Sequence, residues 1–102
     1  MAMTIRLQGE DGKKIDEVHD PQGLLVSCLP LLIDQSYHCL RFIDPYGNTY
    51  FNRMQIETFL AEWDRIFDKV QEKETKRLSV AIKSLAQRCQ QEPHLYLKFL
   101  GD

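Results

Sequence analysis

Leu40-Arg41-Phe42-Ile43-Asp44-Pro45-Tyr46-Gly47-Asn48-Thr49-Tyr50-Phe51-Asn52 is the stretch whose reading decides the fold. Tyr37 to Ile43 reads as a strand, with Leu40 and Phe42 on one face and Cys39, Arg41 and Ile43 on the other. Asp44-Pro45-Tyr46-Gly47 has the chemistry of a type I turn: Asp first, Pro where its fixed φ fits, and Gly last to take a left-handed angle. Thr49-Tyr50-Phe51 then returns as the partner strand, so the segment predicts a hairpin. Asn52 closes it as a helix cap. Gln55 lies three residues on, the spacing at which each side chain satisfies a backbone N–H of the other.

The helix opened by that cap carries Ile56, Phe59, Leu60, Trp63, Ile66, Phe67 and Val70 at steps of three and four, one apolar stripe that needs a layer beneath it. A polar break at Glu72-Lys73-Glu74-Thr75-Lys76 precedes a second long stripe, Leu78, Ile82, Leu85, Ala86 and Cys89, which predicts an antiparallel helix pair. Pro93 bars continuation, and His94 to Leu100 alternates as a closing strand with Leu95, Leu97 and Phe99 toward the core. Its other face is partly apolar, as in a central strand.

Upstream, Met3-Thr4-Ile5-Arg6-Leu7-Gln8 alternates, Gly9-Glu10-Asp11-Gly12 suits a reversal, and Lys13 to Val18 pairs back, with a bulge or an early end where Ile15 and Val18 break the alternation. Asp20-Pro21 reads as the cap and first residue of a helix holding Leu24, Leu25, Cys28 and Leu29, stopped or kinked at Pro30. The expected fold is a single α+β domain over residues 1–102. An antiparallel sheet of about five strands, in the chain order ββαββααβ, packs on the long helix pair.

Composition sets the outer limits. At 102 residues, 43% hydrophobic and 27% charged, the chain has the makeup of a globular domain that needs no metal or disulfide staple. A net charge of −2 withholds the basic excess that drives phosphate-backbone binding, so nucleic acid is not an expected partner. The charge is unevenly spread, with 7 acidic against 4 basic residues up to Asn52 and 8 against 9 beyond it. Leu29 to Ile33 is the longest apolar run and cannot span a bilayer, and the N-terminus has no signal-peptide pattern, which points to a cytoplasmic protein without a membrane partner. Cys28, Cys39 and Cys89 have no metal-ligand spacing and read as buried free thiols.

No residue set carries a recognisable reaction. His19, His38 and His94 lack ligand partners at metal-site spacing, no serine sits in a nucleophile elbow, and the glycines form no phosphate cradle, so neither cofactor nor metal is expected. Two surface patterns stand out instead. Glu57, Asp64, Asp68 and Glu72 fall along one flank of the long helix, either as a solvated face or as an acidic strip for a basic partner. Tyr46 and Tyr50 sit at the hairpin with Arg41 on the strand leading to it, residue types that anchor protein interfaces.

The pieces Arg41 to Gly47, continuing to Asn52, and Leu95-Tyr96-Leu97-Lys98-Phe99-Leu100-Gly101-Asp102 resemble those of small bacterial single-domain proteins of undefined function. In general type the chain is also similar to immunity proteins that neutralise toxins. That likeness, the lack of a convergent catalytic set or cofactor motif, and the two surface patterns together point to a non-enzymatic domain that occludes a protein partner such as a cognate toxin domain, with Arg41, Tyr46, Tyr50, Glu57, Asp64, Asp68 and Glu72, taken from those patterns, as the candidate contact residues. The alternatives are a small enzyme or ligand-binding domain whose site gathers His19, His38, Cys89 and the Asp16 to Asp20 carboxylates, and a homodimer meeting at Tyr96 and the terminal strand.

Overall fold

A computed structural model describes residues 2–101. Four antiparallel strands form one sheet: β1 (Met3–Gly9), β2 (Lys14–Asp20), β3 (Asn48–Asn52) and β4 (Leu95–Leu100), in spatial order β2-β1-β4-β3. Two helices, α1 (Arg53–Phe67) and α2 (Lys73–Gln91), make the second layer. α2 crosses β1, β2 and β4, while α1 lies against β3. The α+β class and the helix pair are as expected, but the sheet has four strands rather than five.

The first hairpin forms as its sequence suggests. Gly12 takes a left-handed φ of 83° in the turn, and the irregularity near Ile15 is a bulge: Leu7 faces Asp16 while Gln8 faces Lys14, leaving Ile15 as the extra residue. β4 is central, with β1 on one side and β3 on the other, and its Leu95, Leu97 and Phe99 are buried. Both its ladders are occupied, so the terminal strand offers no free edge to a second copy.

Residues 20–43 depart from expectation. The helix expected from Asp20-Pro21 is replaced by a turn, in which Gly23 at φ 68° donates to the Asp20 carbonyl, followed by a single 3-10 turn at Val26–Cys28. Asp20 does cap backbone donors, but those of Leu24 and Leu25, at 2.9 Å each, too far along the chain for a regular N-cap. The strand expected over Tyr37 to Ile43 is also absent, replaced by a 3-10 turn at Leu40–Phe42. Its N–H groups are taken by a side chain from α1, described below, and β3 pairs with β4 instead. The 3-10 spacing buries Leu40 and Ile43 and leaves Phe42 exposed, where a strand would have put Leu40 and Phe42 on one face.

The turn at Asp44 to Gly47 forms, with Gly47 donating to the Asp44 carbonyl and the Tyr46 amide to Asp44 Oδ1 at 2.9 Å. Gly47 has no left-handed φ. Glycine leaves room there for the Asp44 carboxylate, since a Cβ would stand 2.7 Å from Oδ2 and make that side chain shift. Asn52 and Gln55 make the reciprocal capping box at 3.2 and 2.8 Å, so β3 runs straight into α1.

The core lies between the layers. Phe51, Phe59, Trp63, Phe67 and Phe99 meet there ring against ring, with Phe59 stacked on Trp63 at 5.3 Å between centroids. The buried indole N–H donates to the Ser79 carbonyl at 3.0 Å, tying α1 to α2 with its one polar atom satisfied.

Candidate functional site

The irregular segment between β2 and β3 builds the most developed surface feature. Val26 and Leu29 to Leu32 on one side and Arg41 to Pro45 on the other enclose an open groove of about 590 Å3. Apolar side chains make most of it, and among the described residues Arg41 and Asp44 are the only charged ones that line it. Of its lining residues Leu31, Leu32 and Phe42 are 71, 62 and 49% exposed, and Ile33 and Tyr46, which follow lining residues in the chain, are 81 and 72% exposed. Single exposed apolar residues are ordinary on protein surfaces; three consecutive aliphatics beside two exposed aromatics are not.

Several side chains hold the groove in shape. Glu62, on α1 and only 5% exposed, accepts the backbone N–H groups of His38, Cys39 and Leu40 at 2.5, 3.0 and 3.0 Å. This carboxylate is the anchor of the 3-10 turn that presents Arg41 and Phe42. It lies on the buried side of α1, three residues after Phe59, and a carboxylate on an apolar helix face was the sequence signal that could have found it. Thr49 Oγ1 accepts the Asp44 amide at 2.9 Å, and the Gly101 amide donates to the Gly47 carbonyl, docking the chain end under the turn.

On the opposite wall, the Asp34 amide donates to the Leu31 carbonyl at 2.9 Å. Ser36 donates to the Asp34 carboxylate through its hydroxyl and its amide, and these bonds hold that carboxyl below its ordinary range, assisted by the charges of Arg65 and Arg41. Arg65 stacks on the Tyr37 ring at 3.8 Å and donates to its hydroxyl. Arg41 bridges the two walls, its Nη1 donating to the Leu32 carbonyl at 3.1 Å and its guanidinium lying 4.5 Å from the Phe42 ring centroid.

The sequence-derived contact residues fall in different places. Arg41 lines the groove, and Tyr46 directly follows its last lining residue, Pro45. Tyr50 points from the outward face of the sheet under Lys98, whose Nζ is 5.0 Å from the ring, and lines a separate depression with Gln8, Gly9, Glu10 and Tyr96. Along the helices, Asp64 is held by Lys83 at 2.7 Å, and Glu72 caps α2 by accepting the amides of Glu74 and Thr75. Those capping bonds, those to Thr75 foremost, lower the Glu72 carboxyl from its usual range. Glu57 and Asp68 are exposed. Two of the four acids on the helix flank are therefore already engaged.

The dispersed residues of the enzyme reading lie apart. His19, on β2, is paired with Glu17 and Thr4, while Cys89 is wholly buried with its Sγ against the Leu95 carbonyl. His38 lies beside Glu57 and Arg65 near α1, and Asp16 pairs with Arg88. His19 and Asp20 do share a cleft with Glu74 and Arg77, but both Asp20 oxygens are occupied by backbone amides, and Glu74 and Arg77 are bonded to each other. Among the described residues no three His, Cys, Asp or Glu side chains are placed to hold a metal ion. The cysteines are free thiols; burial pushes Cys89 up to about 11, and burial followed by the Glu62 charge does the same to Cys39. No described helix is long and apolar enough to cross a membrane. No family model, curated protein or solved structure matches this chain.

Proposed function

We propose that this chain is a non-catalytic protein-binding domain that docks its partner on the groove and its rim, and that it acts by covering that partner as an immunity protein masks a toxin. The observation that carries the docking reading is the run Leu31-Leu32-Ile33, exposed beside Phe42 and Tyr46 on a segment whose turns are fixed by Glu62, Asp34 and Arg41. Such a patch is costly in water and becomes favourable when a partner covers it. Its aromatic and arginine rim has the composition of an interface centre. The immunity reading draws further support from the slight acidity of the chain.

Co-expression with the product of the adjacent gene, followed by purification of the pair, tests both parts. The expected result is a stable complex, with toxicity of the neighbour exposed when this chain is withheld. A neighbour that neither binds nor becomes toxic would remove the immunity reading. A complex that survives Leu31→Ser, Leu32→Ser and Ile33→Ser together would remove the docking surface.

A further inference from the structure

Among the described residues Arg41 is the one cation lining the groove, and its bonding is incomplete. Its Nε is buried without a hydrogen-bond partner, and no carboxylate lies within ion-pair distance of its guanidinium among the described residues. Nη1 alone is used, on the Leu32 carbonyl. The other charged lining residue, Asp44, has Oδ1 committed to the Tyr46 amide within its own turn. A guanidinium with its Nε buried and its plane beside the Phe42 ring is partly stripped of water and forms its strongest contact with a planar anion that takes two N–H bonds at once.

We infer that the groove receives an apolar segment of the partner carrying a glutamate or aspartate, whose carboxylate pairs with Arg41 while its apolar neighbours fill the cavity. The inference rests on the docking reading above and adds the chemistry of the partner to it. The groove volume of about 590 Å3 is within the range that encloses compact ligand groups, roughly 300 to 1,000 Å3. A lone arginine in apolar surroundings suits one carboxylate. A phosphate chain would call for a basic cluster, which neither the groove nor the net charge of −2 supplies. Pairing groove to groove across a two-fold axis would bring the same surface of a second copy, with its own Arg41, against this one.

The probe is a random-peptide display library selected against the intact chain, followed by synthesis of one enriched peptide with its acidic residue as Glu and as Gln. Enriched sequences are expected to place Glu or Asp beside Leu, Ile, Met or Phe. In fluorescence anisotropy the Glu peptide should bind roughly tenfold tighter than the Gln peptide, the size of effect a desolvated charge-assisted pair gives. Arg41→Gln should bring that ratio close to one and Arg41→Lys should restore part of it, each variant first shown by circular dichroism to be folded. Leu32→Ser should weaken both peptides alike. No enrichment, enrichment without acidic residues, or an unchanged Glu-to-Gln ratio in Arg41→Gln would overturn the inference, as would a dimer in sedimentation that Leu32→Ser dissociates. If the neighbour complex forms, is unaffected by Arg41→Gln and is lost in the Leu31, Leu32 and Ile33 triple variant, this inference falls and the docking reading stands. If the wild-type chain forms no such complex, the docking reading itself loses its test partner while the peptide ratios still decide the role of Arg41.

Discussion

Removing the Glu62 carboxylate should unlock the groove, and the structure sets the size of the effect. Oε1 accepts the amides of Cys39 and Leu40, and Oε2 accepts that of His38. Glu62→Gln can keep one acceptor oxygen for Cys39 and Leu40, but it turns an NH2 toward the His38 N–H, so one acceptor is lost and two donors face each other. Leaving a buried donor unpaired costs about 1 to 3 kcal/mol, and the His38 amide, on an exposed residue, falls at the low end, about 1 kcal/mol. Glu62→Ala strips the acceptor from all three donors. With the His38 amide able to reach water, since His38 is exposed, its expected cost is about 3 to 5 kcal/mol, below the sum for three fully buried groups. Urea unfolding of the three proteins should rank wild type above Glu62→Gln above Glu62→Ala. Amide exchange at Cys39 and Leu40 should accelerate well before exchange in β4. An Ala variant within about 0.5 kcal/mol of wild type, the range of ordinary surface substitutions, would refute this account of the segment.

Trp63→Ala removes the centre of the aromatic cluster and the bond to the Ser79 carbonyl, and should cost about 3 to 5 kcal/mol in the same urea assay. Gly101→Ala should destabilise by about 1 to 3 kcal/mol and disturb the 44–47 turn in NMR shifts, because its Cβ would stand 2.6 Å from the backbone of Pro45. At pH 8 a thiol reagent should modify Cys28, which is partly exposed, and reach Cys39 and Cys89 only on unfolding, since burial holds both of those thiols at about 11.

Elements with local causes were legible in the sequence. The Asn52 and Gln55 capping box, the α1 stripe, the alternation of β4 and the Asp44 turn each depend on residues within a few positions, and each formed. Residues 20–43 were not legible because the amides that fix their path, those of Leu24, Leu25, His38, Cys39 and Leu40, are satisfied by side-chain carboxylates rather than by a helix or ladder. Asp20 reaches four and five residues on, and Glu62 acts from a helix more than twenty residues away. Leu40 is buried under either reading, but the register that buries Ile43 with it and exposes Phe42 is set by the turn that Glu62 holds. The candidate surface was half visible for the same reason. Arg41 and Tyr46 stood out by type, whereas Leu31, Leu32 and Ile33 read only as an apolar run past Pro30 leading into a polar loop, and proved to be exposed.

Hydrogen exchange of this chain, free and in complex with the co-purified neighbour, tests the central claim most directly. The account predicts protection concentrated on amides of residues 29–46, with α1, α2 and the outward face of the sheet unchanged. Protection centred on Glu57 and Asp68 of the helix flank, or on Tyr50 and Tyr96 of the sheet face, with residues 29–46 exchanging as in the free protein, would contradict it.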